Sequence, residues 1–66
     1  MNAEKTTTLK AEMEELVTLI LEATIRKGLA YNANDVSMMT ECMDHEEFLS
    51  ERFFEASAEL KKAAAL

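Results

Sequence analysis

A chain of 66 residues with no proline and a single glycine, Gly28, has almost nothing with which to turn. Short strands need a reversal every ten residues or so, built largely from Gly, Pro and Asn. That argues against an all-β fold and leaves long helices. Length is the second constraint. A folded chain of this size buries only about 60% of the surface its extended form exposes, and ordering it costs roughly 1.5 kcal/mol per residue, so an isolated core is close to break-even. Cys42 is the only cysteine and His45 the only histidine, too few for an internal disulfide or a four-ligand zinc site. The apolar share of 48% is high for a disordered chain. Support must come from well-packed helices, self-association or a partner protein.

Thirteen acidic and seven basic side chains give a net charge of -6. Nucleic acids and anionic membrane surfaces are bound by Lys and Arg, so direct contact with either is not expected. The segment Met-Asn-Ala-Glu-Lys-Thr-Thr-Thr lacks the basic and apolar regions of a signal peptide, and Glu22 ends the richest apolar stretch, Leu16 to Leu21. The expectation is a cytoplasmic protein without a cofactor.

Leu9, Met13, Leu16, Ile20 and Ala23 follow the alternating three and four spacing of a helix stripe. Thr6 to Thr8 offer N-cap hydroxyls, Glu12, Glu14 and Glu15 suit the positive end of the dipole, and Arg26 and Lys27 suit the last turn. Gly28 falls where a left-handed C-cap is wanted. These signals predict a helix over about 8–27 and a loop over about 28–34, with Asn32 and Asp35, or Asn34 alone, capping a second helix over about 35–63. Its stripe is Val36, Met39, Cys42 or Met43, Leu49, Phe53, Ala56 and Leu60, interrupted by Glu46. Lys61 and Lys62 suit its C-terminal end, and 63–66 are helix formers free to fray.

The fold class is therefore all-α, an antiparallel two-helix hairpin. With helices of about 20 and 28 residues, the second overhangs the first by about 12 Å or breaks near Ser50. Val17, Leu21 and Ile25 form a second apolar strip that one neighbouring helix cannot cover. A dimer forming a four-helix bundle, or a partner helix in a groove, would cover it.

Met38, Cys42 and His45 share one face of the second helix and could hold a soft metal, but methionine and buried cysteine are ordinary core residues, with His45 then bonded to a carboxylate at the core edge. No metal site is assigned. A Cys42/His45 nucleophile pair lacks a cleft and an oxyanion donor, and Glu41 precedes His45 by four residues where a di-metal motif needs three.

Glu41, Asp44, Glu46, Glu47, Glu51, Glu55 and Glu59 face Arg52 alone and account for the whole net charge, the remaining six acids and six bases cancelling. Glu47, Glu51, Glu55 and Glu59 repeat every four residues as one ridge about 18 Å long, at a few tenths of a kcal/mol for each like-charge neighbour. The ridge fits a basic surface of another protein, for example a nucleic-acid-binding one, or serves as a solvated face. Phe48, Phe53 and Phe54 point in different directions at 100° per residue, so one of them is expected to meet another chain.

At Gly28-Leu29, Val36 and Met39-Thr40-Glu41-Cys42-Met43-Asp44 the chain resembles the stage-zero sporulation E-type aspartyl-phosphate phosphatases. These are small helical hairpins that dephosphorylate a response regulator, with a Tyr-Gly-Leu turn and a Leu-Ser-Gln-Glu-Leu-Asp signature. Met13-Glu-Glu-Leu16 and Arg26 extend the resemblance over about 13–44. Thr40 stands for the signature serine and Met43 for its leucine, whereas Glu41 and Cys42 replace the Gln-Glu pair and Glu46 and Glu47 fall where that family is apolar. The resemblance implies that Asp44 acts on the phosphoryl aspartate. In length and outline the hairpin is also similar to a plasmid copy-number regulator, without its basic RNA-binding face. The function expected is that of a non-enzymatic regulator or adaptor, binding a protein through Glu47, Glu51, Glu55 and Glu59 and through Val17, Leu21 and Ile25, with the phosphatase as the alternative.

Overall fold

The computed structural model describes residues 3–65, and these form two helices, α1 (Ala3–Asn32) and α2 (Val36–Ala65), joined by a three-residue turn. No strand occurs among the described residues. The hairpin is a rod with extents of 50 × 14 × 10 Å. Met1, Asn2 and Leu66 lie outside the described residues.

Both helices are 30 residues long, about 45 Å each at 1.5 Å per residue. They end level, without overhang, and α2 runs unbroken through Ser50. Gly28 does not cap α1. The helix passes through it with no positive φ, and the left-handed residue is Asn34, at φ 56°. There the Asp35 N–H donates to the Ala30 carbonyl at 2.9 Å and the Asn34 N–H to that of Tyr31 at 3.1 Å, the paired bonds that close a helix C-terminus on a left-handed residue. Asparagine is among the few residues other than glycine that adopt this conformation readily, so the turn closes without the one glycine.

Asp35 also begins α2. Its Oδ1 accepts the Met38 N–H at 3.1 Å and its carbonyl accepts the Met39 N–H at 3.0 Å, which makes it the N-cap. With one residue serving both helices, the loop expected over 28–34 shrinks to 33–35.

The other end of α1 also lies beyond the expected start. Thr7 and Thr8 are inside the helix, their hydroxyls donating back to the carbonyls of Ala3 and Glu4 at 2.9 and 3.0 Å. Glu4, not Glu12, occupies the first turn, and the last turn carries no base. Arg26 and Lys27 are therefore mid-helix.

The buried residues recur every seventh position: Leu9, Leu16, Ala23 and Ala30 on α1, and Cys42, Leu49, Ala56 and Ala63 on α2. Met13, Ile20, Met39, Phe53 and Leu60 flank them half-buried. This is a coiled-coil seam, three and four residues alternating within a repeat of seven. In antiparallel order the two rows interleave, Leu9 falling between Ala56 and Ala63, Leu16 between Leu49 and Ala56, and Ala23 between Cys42 and Leu49. Leu16, Ala23 and Leu49 form the core cluster, with Leu19, Ile20 and Phe53 packed on it. Both expected stripes thus face each other, except that Val36 and Met43 are exposed.

Candidate functional site

The seam divides the rod into two flanks, each marked by one cross-helix ion pair. On the first, the Lys27 Nζ donates to Glu46 Oε1 at 2.7 Å, and the Thr24 hydroxyl donates to the other oxygen of the same carboxylate. The Lys27 hydrogen bond, and then that of Thr24, hold the Glu46 carboxyl below its ordinary range. Glu46 interrupts the apolar stripe, yet its side chain is only 18% exposed, because both carboxylate oxygens have donors.

Turning outward from the seam on this side at 100° per residue, α1 presents Met13, Ile20, Val17, Leu21 and Tyr31, and α2 presents Phe53, Met39, Met43 and Phe54. Val17, Leu21, Tyr31, Met43 and Phe54 are 44–69% exposed. Toward the turn the flank holds a groove of about 550 Å³ lined by Thr24, Lys27, Gly28, Tyr31, Asn32, Met39 and Met43. A Cβ at Gly28 would meet nothing within 4 Å, so the missing side chain leaves this groove open. Monomeric proteins seldom expose contiguous apolar surface of this kind without a use for it.

The second flank is the more acidic. Arg52 Nε donates to Glu12 Oε1 at 2.7 Å and Nη1 to Glu55 Oε2 at 3.3 Å, and Glu59 Oε1 lies 3.8 Å from Nη1. Glu12, and then Glu55, hold the Arg52 proton more firmly than usual. Farther along this flank α1 turns Glu15, Glu22 and Leu29 outward and α2 turns Met38, Glu41 and Phe48, all exposed, and Arg26 shares a pocket with Glu41 as a second cation.

The expected glutamate ridge is split by helix geometry. A step of four residues advances 400°, so each glutamate is displaced about 40° around the helix from the last. Glu55 and Glu59 end beside Arg52, whereas Glu47 and Glu51 lie on the outward side of α2, with no ion-pair partner among the described residues. The strip Val17, Leu21, Ile25 drifts in the same way. Val17 and Leu21 belong to the apolar flank, and Ile25, 63% exposed, points away from α2.

Phe53 packs in the core and meets the Phe54 ring edge-to-face at 6.2 Å, while Phe48 and Phe54 remain exposed. Cys42 is buried. His45 is exposed and bonds to no carboxylate among the described residues, contrary to the expectation for the core edge. Met38, Cys42 and His45 line one small pocket together with Arg26 and Glu41. The arginine there opposes a cation, and no group of His, Cys, Asp and Glu among the described residues is arranged to hold a metal. Asp44 is exposed on the outward side of α2. The Thr40 hydroxyl is turned to the Val36 carbonyl at 3.0 Å. No helix among the described residues is long and apolar enough to cross a membrane. Comparison with protein-family models, curated proteins and solved structures finds no match to this chain.

Proposed function

We propose that this protein is a small acidic, non-enzymatic regulator or adaptor that acts in the cytoplasm by binding another protein through its helix faces. The reading is carried by the unequal division of the two flanks: Val17, Leu21, Tyr31, Met43 and Phe54 are exposed on the Lys27 side, whereas the Arg52 side sets Glu12, Glu15, Glu22, Glu41, Glu55 and Glu59 around exposed Leu29, Met38 and Phe48 and so offers charge together with apolar surface to dock. Glu47 and Glu51, without ion-pair partners among the described residues, supply the approach field for a basic surface, and Glu55 and Glu59 extend it beside Arg52. Val17 and Leu21 form an apolar face completed by self-association into a four-helix bundle, with Ile25 left on the outside.

The docking reading is tested with a lysine- and arginine-rich peptide as probe. Its association rate should fall as salt rises from about 50 to 300 mM, since steering is screened over a Debye length. Glu47→Gln with Glu51→Gln should slow association more than Glu14→Gln with Glu15→Gln, which removes the same charge from α1. Equal effects of the two pairs would mean that net charge alone acts and that no ridge is read.

The phosphatase alternative draws support from the exposure of Asp44 on the outward side of α2, where a receiver domain can reach it. Phosphoryl transfer needs positioning more than covalent chemistry, so Asp44 would orient the attacking water. Asp44→Asn should then abolish dephosphorylation of a phosphorylated receiver domain while leaving the circular dichroism spectrum intact. An inactive parent protein would end this alternative.

A further inference from the structure

A rod 50 Å long and 14 Å wide has more surface than its mass warrants. The accessible area is 5104 Å², against about 4,200 Å² for a compact monomer of 7.4 kDa by the usual scaling, an excess of about 900 Å². A standard stable interface removes about 800 Å² from each partner. The excess therefore matches what one interface of ordinary size would cover, and the apolar flank is the continuous surface available for it.

We propose that a second copy of this chain covers the apolar flank turned end over end, so that the two turns lie at opposite ends of an antiparallel four-helix bundle. This rests on the self-association proposed above and adds the face and the orientation. Charge decides the orientation. Glu46, the acid of this flank nearest the seam, is already paired with Lys27, Glu14 and Glu47 stand at its outer edge on the faces of Leu21 and Phe54, and at the open end of the hairpin lie two cations, Lys10 and Lys61, with no ion-pair partner among the described residues. A parallel copy would set both lysines beside their own counterparts, four cations at one end of a closed interface. Turning the copy over separates each lysine from its counterpart by more than about 20 Å along the axis, at 1.5 Å per residue, well beyond the Debye length of about 8 Å at physiological salt. It also brings Lys10, about 11 Å from the middle of α1, to within about one helical turn of the level of Glu46 and the unpaired Glu47 on the other copy.

Pulsed dipolar spectroscopy on the full chain tests this, with Cys42→Ala removing the native thiol and Ala33→Cys carrying a nitroxide at the turn. The antiparallel bundle predicts a label separation near the 50 Å length of the rod. A separation below roughly 30 Å, set by neighbouring helices about 10 Å apart plus the label arms, would overturn the orientation while leaving self-association standing. Absence of any dipolar signal at concentrations well above micromolar would overturn both. Should Ala33→Cys lose its helical spectrum, a label at Ser37→Cys, at the same end of the rod, reads the same outcomes.

Discussion

The two flanks are built on one seam by the same two helices, yet they solve the problem of a short chain in different ways. On the Lys27 side the acid nearest the seam is matched by two donors, and around it stand exposed Met, Val, Leu, Tyr and Phe. On the Arg52 side three carboxylates share one guanidinium, and further acids, Glu15, Glu22 and Glu41, stand among Arg26, Leu29, Met38 and Phe48. The seam beneath buries four residues on each helix, half of them alanine. So small a core leaves apolar surface on both flanks, with more of the carboxylates gathered on the Arg52 side, and that asymmetry is the functional content of the fold.

The largest expected effect comes from the seam, which both flanks share. Leu49→Ala removes a leucine 4% exposed at the centre of the core cluster and should destabilise by about 2–5 kcal/mol, most of the stability of a domain this small. Urea denaturation followed by circular dichroism checks it. A loss below about 1 kcal/mol would mean that cohesion resides in the flanks.

Gly28→Ala comes next, on the apolar flank. The position is helical with ordinary φ and open space around a new Cβ, so under dilute, monomeric conditions the variant should gain about 0.5–1 kcal/mol. The gain should shrink once the groove is covered, because the added methyl then has a neighbour. Denaturation midpoints at low and high protein concentration separate the two.

Glu46 yields a pH signature. Its folded carboxyl titrates below the ordinary value of 4.5, chiefly through Lys27 and then Thr24, so the unfolded chain binds the proton more readily. The contribution is present above the unfolded pKa and is lost as pH falls through the lower folded one. Between pH 6 and pH 3 the wild type should therefore lose more stability than Glu46→Gln. Parallel losses would show that the pair contributes nothing to the apolar flank.

The smallest effect belongs to the acidic side. Glu47→Gln with Glu51→Gln removes two like-charge neighbour pairs, Glu47/Glu51 and Glu51/Glu55, and should raise stability by a few tenths of a kcal/mol. The same change at Glu55 should yield less, because Arg52 already offsets that charge. Thermal denaturation at low salt resolves the order.

Much of this architecture was legible in the residues. Leu9, Leu16 and Ala23 against Leu49 and Ala56 follow from spacing alone, as does the hairpin. The helix ends were not, because Gly28 is the stronger local signal, yet the turn is closed by Asn34 in a left-handed conformation and by Asp35 acting for both helices. Packing along a seven-residue seam carries α1 straight through its glycine. The surface was misread for a related reason. Rows four residues apart, such as Val17-Leu21-Ile25 and Glu47 to Glu59, drift around the helix, and the recurrence by sevens that assigns Tyr31, Met43 and Phe54 to one side was the signal to follow. Glu46 looked like an interruption because its donors, Thr24 and Lys27, come from the other helix.

Sedimentation equilibrium on the wild type and two variants tests most directly the claim that the apolar flank is the face needing cover. At micromolar concentration the wild type should sediment at twice the 7.4 kDa chain mass. Leu21→Glu, on that flank, should return it to the monomer, and Ile25→Glu, from the same row but facing away, should leave the dimer intact. A stably folded wild type at the mass of one chain, or equal behaviour of the two variants, would contradict the account.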